Sequence, residues 1–386
     1  KWATWLVPIA LAIAVVAYII TKDVVRAVTG IVVFCPCALA LATPTSIIAA
    51  IGQATKHGVI IKSGEALENM GKADMIAFDK TGTLTKGNLT VSDTITHMDG
   101  LSESDLLLLA AATEARSEHP LGKAIVNQAK QTGKSIAECD DFTMVPGKGV
   151  MAKVHGETVL CGSSTFLTEN GVMITKPALT ELERLQGQGK AVILVAKAGQ
   201  IAGLIALSDT LRPAVKDMVQ QLTNMGVKTV LLTGDNARTA AYLSKEVGIT
   251  EVKADLLPGD KVSAVVALQA QGRKVCMIGD GVNDAPALKT ANVSVAMGGM
   301  GSDIAIEAAD IALMGDDINK IPYLKQLSNT TLRTIKTNIT VSMCINFVAV
   351  TLSVLGLLNP VTGALVHNAG SVLVVLNAAM LSQKKI

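Results

Sequence analysis

Asp79-Lys80-Thr81-Gly82-Thr83-Leu84-Thr85 follows the apolar run Met75-Ile76-Ala77-Phe78, and the reading of this stretch decides the fold. The run reads as a buried strand, which places Asp79 at its carboxyl end, where open α/β sheets bind ligands. A carboxylate there can attack a phosphoryl group and form an acyl phosphate. Lys80, the Thr81 and Thr83 hydroxyls and the backbone N–H groups around Gly82 are suited to receive the charge of a transferred phosphoryl group. The plainer alternative is a strand ending in a Lys-Thr-Gly turn, because Asp, Thr and Gly all favour turns. All seven residues directly after a strand favour the chemical reading over the turn.

With 386 residues the chain has room for two or three domains. A net charge of +2 lacks the basic stripe of an electrostatic nucleic-acid binder, so no nucleic-acid partner is expected. Mean hydropathy is +0.44, and the apolar excess sits at the two ends. Six cysteines without the spacing of a small secreted domain fit a reduced compartment rather than a disulfide framework. The first residue is Lys1 rather than Met, which marks the chain as a fragment in this reading.

Residues 2–21 carry no charged side chain and match the ~20 apolar residues that cross a bilayer. Lys22, Asp23 and Arg26 mark a polar turn, and residues 27–55 again lack charge, predicting a second helix. Residues 337–383 contain no Asp, Glu, Lys or Arg and are divided near Asn359-Pro360 into two further spans. Four transmembrane helices are therefore expected, two on each side of a soluble region. Lys56, Lys62, Lys72, Lys325, Arg333, Lys336, Lys384 and Lys385 cluster at the soluble connections, which makes that side cytoplasmic.

Within the second predicted span lies Phe34-Cys35-Pro36-Cys37-Ala38. Proline removes a helix hydrogen bond, and the two thiols flanking it suit soft ions such as Cu(I) and Zn²⁺. Two buried cysteines beside a kink are the plainer reading. Polar groups in the last two spans are further candidates, because their burial in lipid is costly: Asn338, Met343, Cys344, Asn346, His367, Asn368, Ser371 and Asn377. His367 stands out because a neutral imidazole is a common ligand for Zn, Cu and Ni. The segment 56–74 reads as a helix and loop leading to Asp79, with no catalytic role for Glu65, Glu68 or Lys72.

Chemistry resumes near residue 205. Leu211-Arg212-Pro213 opens a helix, with Asp209 or Pro213 as its start signal. Residues 227–232 and 275–278 read as strands, followed by Thr233-Gly234-Asp235-Asn236 and Gly279-Asp280-Gly281-Val282-Asn283-Asp284. Alternating strands and helices imply a parallel α/β core in which these motifs converge on Asp79. Asp280 and Asp284, with Asp79, supply the carboxylates that Mg²⁺ prefers, Thr233 a hydroxyl for phosphoryl oxygens, and Lys261 a neutralising charge. Between residues 87 and 204 lies a separable insertion. There, His119 before Pro120 is placed to bond or stack on a base, and Gly147 and Gly149 allow close backbone approach to a nucleotide. The runs 191–195 and 201–207 form a hairpin that closes it. His57, His97, His155, Cys139, Cys161 and Cys276 lack ligand spacing and read as structural or surface residues.

The motifs together resemble the P-type ATPases, and Cys35-Pro36-Cys37, Thr43-Pro44-Thr45 and Lys62-Ser63-Gly64-Glu65-Ala66-Leu67-Glu68 are similar to their heavy-metal subclass. That resemblance implies a haloacid-dehalogenase-like α/β phosphorylation domain (56–86 and 205–320) with an inserted α+β nucleotide-binding domain (87–204). Transmembrane helices flank these at 1–55 and 321–386. It implies ATP as substrate, Asp79 as the phosphorylated residue, and Lys80, Thr81, Thr233, Gly234, Asp235 and Lys261 around it. Mg²⁺ is implied at Asp79, Thr81, Asp280 and Asp284, nucleotide at Glu114, His119, Gly147 and Gly149, and a transported ion at Cys35, Cys37, Asn346, His367 and Ser371. The chain departs from known pumps in having Ile345-Asn346 without the Tyr of copper pumps, and neither the Lys nor the Asp of zinc and cadmium pumps. Two thiols and an imidazole without Met favour Zn²⁺ or Cd²⁺, with Cu(I) as the alternative. No actuator Thr-Gly-Glu occurs, so the actuator domain and preceding membrane helices are expected as missing partners, in a multi-pass bacterial plasma-membrane protein. A membrane-anchored phosphatase is the rival enzyme. Its acidic residue two positions after the nucleophile is here Thr81, which favours a longer-lived phosphoenzyme. A non-enzymatic metal-binding module is the other rival.

Overall fold

The computed structural model describes residues 3–384 except 35, 36, 146, 281–283, 299–302 and 316, and gives backbone alone at 3–7, 37–39 and 303–305. The chain forms two compact units, one of residues 75–268 and 278–287, the other of residues 1–74, 269–277 and 288–386.

In the first of these units, Met75–Asp79 is buried along its whole length and pairs in parallel with Lys228–Leu232, placing Asp79 opposite Leu232. Glu251–Lys253 extends the ladder, again in parallel. A strand covered on both faces reads as an unbroken apolar run, as these do. The polar residues that end them, Asp79 and Thr233, are thereby gathered at one edge. The insertion is an antiparallel six-stranded sheet in the order Thr85–Thr96, Gln200–Leu211, Ala191–Lys197, Glu157–Gly162, Gly149–Val154, Cys139–Val145. Helices Glu103–Glu114 and Pro120–Gln131 pack against it through a core that includes Leu106, Ile125, Val159 and Ile205. A second cluster joins Phe166, Leu167 and Leu182 to Leu194 and Leu204. Ala191–Lys197 and Gln200–Leu211 form the anticipated hairpin, turned at Ala198 and Gly199.

Of the two start signals expected for the next helix, Pro213 stands in the turn just before it and Asp209 does not. Helix Val215–Asn224 starts after Ala214 without a side-chain cap, whereas Asp209 lies within strand Gln200–Leu211. Its carboxylate instead accepts from Thr85 Oγ1 at 2.5 Å and Asn88 N at 3.1 Å. Sheet pairing overrode the local start signal.

The other unit contains Val59–Ile61, antiparallel to Ile311–Leu313, which is parallel to Val293–Met297. The segment 56–74 thus holds a strand as well as helix Gly64–Lys72, whose Ser63 cap accepts from Ala66 N at 3.1 Å. Lys325 is buried rather than at an interface: its ammonium donates to the carbonyls of Met70, Gly71 and Ala73 at 2.7–3.0 Å. This caps the open carbonyls of that helix end.

The predicted helix over 27–55 is two helices, Val24–Val33 and Cys37–Lys56. Asp23 caps the first by accepting from Val25 N at 2.8 Å, so Arg26 belongs to the helix and not to the turn. Helices Lys320–Val354 and Pro360–Met380 pack on this pair. Among the described residues, Lys320–Val354 and Pro360–Gln383 are long and apolar enough to cross a membrane, while Pro8–Thr21 and Val24–Val33 are shorter apolar helices. Of the four spans expected, two meet that test among the described residues, and the helix holding Pro8–Thr21 runs from Ala3 to Thr21.

Candidate active site

Asp79 is 5 % exposed at the end of its strand. Lys261, on helix Pro258–Ala270, donates to Asp79 Oδ1 at 2.5 Å and to Asp284 Oδ1 at 2.7 Å. Asp79, Asp280 and Asp284 each offer one oxygen within 4.8 Å of the others. Burial, reinforced by the Asp284 and Asp280 carboxylates against the pull of Lys261, raises the Asp79 carboxyl to about 7. Burial opposes the Lys261 charge, yet Asp79 and Asp284 outweigh it and hold the ammonium above its ordinary range. Three hard oxygen donors facing one lysine leave excess negative charge, a donor set that suits Mg²⁺.

The glycine of the heptapeptide has a specific cause. Gly82 has φ +70, and a Cβ there would lie 2.1 Å from Asp280 Oδ2. Only glycine combines a left-handed backbone with this approach. Lys80 does not meet Asp79: its ammonium pairs with Asp235 at 2.7 Å. Asp235 N in turn donates to Thr233 Oγ1 at 3.1 Å, and Gly234 passes under the carbonyl of Leu256. Thr81 is exposed, whereas Thr83 is fully buried and its Oγ1 has no partner among the described residues. Sequence reading missed Arg212, whose guanidinium is bonded to the loop after Asp79.

A cavity of about 440 Å³ lies in the insertion, lined by Glu114, His119, Gly147 and Gly149 together with Ser117, Cys161 and Gly162. Glu114 is buried at the end of its helix, and desolvation holds its carboxyl above the usual range against bonding from Ser117 and the charge of His119. His119 is the N-cap of helix Pro120–Gln131, its Nδ1 accepting from Leu121 N at 3.3 Å. A Cβ on Gly149 would lie 2.5 Å from Cys161 O and 2.8 Å from Gly162 Cα, so this wall is bare backbone. Cys161 was read as structural. It lines the cavity yet is fully buried in the core of the insertion, and burial pushes its thiol well up. Its single-cysteine context carries no sequence signal.

In the helix pair, Asn377 Nδ2 donates to Asn338 Oδ1 at 2.6 Å and Asn338 Nδ2 to Val374 O at 3.3 Å. Asn346 and His367 are buried, Ser371 Oγ donates to His367 O at 3.1 Å, and His367 Nε2 has no partner among the described residues. Met343, Cys344 and Asn368 are exposed, on other sides of their helices, while the unpredicted Ser342 is buried. Cys35 and the side chain of Cys37 lie outside the described residues.

Residues 73–292 match the haloacid dehalogenase-like hydrolase family model. A probable cadmium-transporting ATPase of Staphylococcus aureus (strain MRSA252) is 39 % identical over 398 residues, covering 100 % of this chain and 55 % of the relative. A probable copper-exporting P-type ATPase V of Mycobacterium tuberculosis (strain ATCC 25618 / H37Rv) is 42 % identical over 355 residues, covering 92 % and 46 %. The chain therefore spans about half the length of these relatives. Among solved structures, a zinc-transporting PIB-type ATPase in the E2.Pi state superposes with a TM-score of 0.88 at 36 % identity, covering 99 % of this chain and 62 % of that one. The catalytic domain of the CPx-ATPase CopB-B matches with a TM-score of 0.55 at 37 % identity, covering 72 % and 99 %.

Proposed function

Because this chain belongs to the haloacid dehalogenase-like hydrolases, and among them to the heavy-metal-transporting P-type ATPases, we propose that it couples ATP-driven phosphorylation of Asp79 to passage of a thiophilic divalent cation across a membrane. The observation that carries this reading is Asp79, held at its strand end by Lys261 with Asp280 and Asp284 beside it.

ATP binds with its base in the cavity of Glu114, His119, Gly147 and Gly149. The Asp79 carboxylate attacks the γ-phosphorus, a bond forms from carboxylate oxygen to phosphorus, and the bond to the ADP oxygen breaks. Lys261 opposes the rise that burial imposes on the Asp79 carboxyl and neutralises charge on the phosphoryl oxygens. Thr233 is placed at the neighbouring strand end to donate its hydroxyl to those oxygens. Asp79, Asp280 and Asp284 are the residues that would hold Mg²⁺, which when bound supplies further charge neutralisation. Lys80, held by Asp235, organises the loop from its far side.

The transported ion is the substrate of the membrane helices, with Cys35, Cys37, Asn346, His367 and Ser371 as its candidate donors. Soft sulfur with an imidazole fits Zn²⁺ or Cd²⁺. The phosphorylation and nucleotide-binding domains face the cytoplasm of a bacterial plasma membrane, and an actuator domain elsewhere in the pump completes dephosphorylation. Acid-stable labelling from γ-phosphate-labelled ATP with Mg²⁺, run across Zn²⁺, Cd²⁺ and Cu(I), tests this. A hydroxylamine-sensitive label that depends on Zn²⁺ or Cd²⁺ and is absent in Asp79→Asn supports it. Dependence on Cu(I) alone moves the cargo to the monovalent ion, and no label in a nucleotide-binding sample sinks the enzymatic reading.

A further inference from the structure

Arg212 is 8 % exposed and lies against the loop that leaves the nucleophile strand. Its Nη2 donates to Gly82 O at 2.9 Å, and its Nε to Thr83 O at 3.0 Å and Thr85 O at 3.1 Å. Its own backbone N–H donates to Leu84 O at 2.9 Å. A single residue thus takes the carbonyls of four consecutive loop positions. Arginine suits this task, since its planar fork offers several donors in fixed directions and keeps its charge when buried.

The consequence follows from peptide geometry. In a planar trans peptide the C=O and the N–H point in opposite directions. With the carbonyls of Gly82 and Thr83 turned toward Arg212, the N–H groups of Thr83 and Leu84 turn away from it. The Leu84 and Thr85 N–H groups are already used within the π-type turn Lys80–Leu84, Thr85 donating to Lys80 O. The loop also faces the carboxylates, since Gly82 approaches Asp280 too closely for any side chain.

We propose that Arg212 is the positioning residue of the phosphoryl cradle. It never touches the phosphoryl group, but by fixing the carbonyls of residues 82–85 it holds the loop that carries Gly82 against Asp280 in the course that a phosphoryl group on Asp79 requires. This rests on the reading of Asp79 as phosphoryl acceptor.

The test uses the full chain in detergent, with Arg212→Ala and Arg212→Lys beside wild type and Asp79→Asn. Three quantities are measured: affinity for trifluoroberyllate with Mg²⁺ as acyl-phosphate mimic, affinity for a non-hydrolysable ATP analogue, and amide exchange of residues 80–86 without ligand. Arg212→Ala should exchange faster at 80–86 and lose about tenfold or more in trifluoroberyllate affinity. ATP-analogue affinity should hold within about twofold. Arg212→Lys, which keeps the charge but not the fork, should fall between. Unchanged trifluoroberyllate affinity in Arg212→Ala overturns the proposal. So does a parallel loss of nucleotide affinity and melting temperature, the mark of general unfolding. If wild type binds no trifluoroberyllate, the acceptor reading fails instead. Loop exchange then decides alone: acceleration keeps the hold of Arg212 on the loop, and no change removes it.

Discussion

The carboxylate cluster around Asp79 and the polar cluster of the helix pair are built by opposite rules. At the first, Lys261 bonds two carboxylates at 2.5 and 2.7 Å, so the ammonium already stands where positive charge is needed. At the second, the asparagines satisfy one another while His367 Nε2 is buried without a partner among the described residues. A preorganised site has its compensating charge in place before substrate arrives. A buried imidazole nitrogen left unpaired is costly and marks a place for something else to bind. The difference teaches that the cluster around Asp79 holds its compensating charge within its own unit, whereas the helix pair leaves a buried imidazole nitrogen without a partner among the described residues.

That contrast can be broken in several places. The largest effect is expected at Lys261: replacement by Ala leaves Asp79 and Asp284 repelling each other without compensation. Phosphoenzyme formation, followed by rapid quench, should fall by about 10²–10³-fold. If it falls less than tenfold, Lys80 can substitute, and the pairing of Lys80 with Asp235 is looser than the structure implies. His367→Ala should cost about tenfold or more in the metal concentration that half-saturates labelling, because one donor of the set is removed. ATP affinity at fixed metal should be unchanged. An equal loss in both would place His367 in helix packing. Gly82→Ala combines a left-handed φ with a clash on Asp280, and about 1–3 kcal/mol of strain is expected from thermal unfolding.

Two smaller effects sharpen the comparison. Glu114→Gln should weaken binding of an ATP analogue by about threefold to tenfold, read by titration calorimetry. Folded Glu114 holds its proton to higher pH than an unfolded glutamate does. Its contribution to stability is therefore full at acid pH and declines as pH rises from the ordinary glutamate range through the raised folded value. The difference in melting temperature between wild type and Glu114→Gln should shift accordingly across that window, and a flat difference would show that Glu114 is not desolvated. Asn377→Ala frees Asn338 Oδ1 inside the helix pair and should cost about 0.5–1.5 kcal/mol in stability without moving ATP affinity.

Much of the carboxylate site was legible because its residues follow apolar strands whose ends must converge in a parallel sheet. Asp79, Thr233 and Asp280 declare themselves by following such strands. Arg212 and Cys161 do not, since neither spacing nor periodicity says which loop or cavity a side chain will reach. Asp209 was misread as a helix start because an isolated Asp before Pro looks like a cap, and only the pairing of Gln200–Leu211 with Thr85–Thr96 shows that it bonds across a sheet. The stretch predicted over 27–55 is helical as Val24–Val33 and Cys37–Lys56, and Cys35-Pro36 between them lies outside the described residues.

The sequence by itself determined the order of strands and helices, the chemistry of the nucleophile and the apolar character of the two ends, because these depend on periodicity and residue type along the chain. Only the tertiary structure decided that Lys261 rather than Lys80 meets Asp79, that Gly82 must lack a side chain against Asp280, and that Arg212 holds the loop between them. Those are contacts between residues far apart in the chain, set by packing and charge compensation in three dimensions, and no local pattern records them.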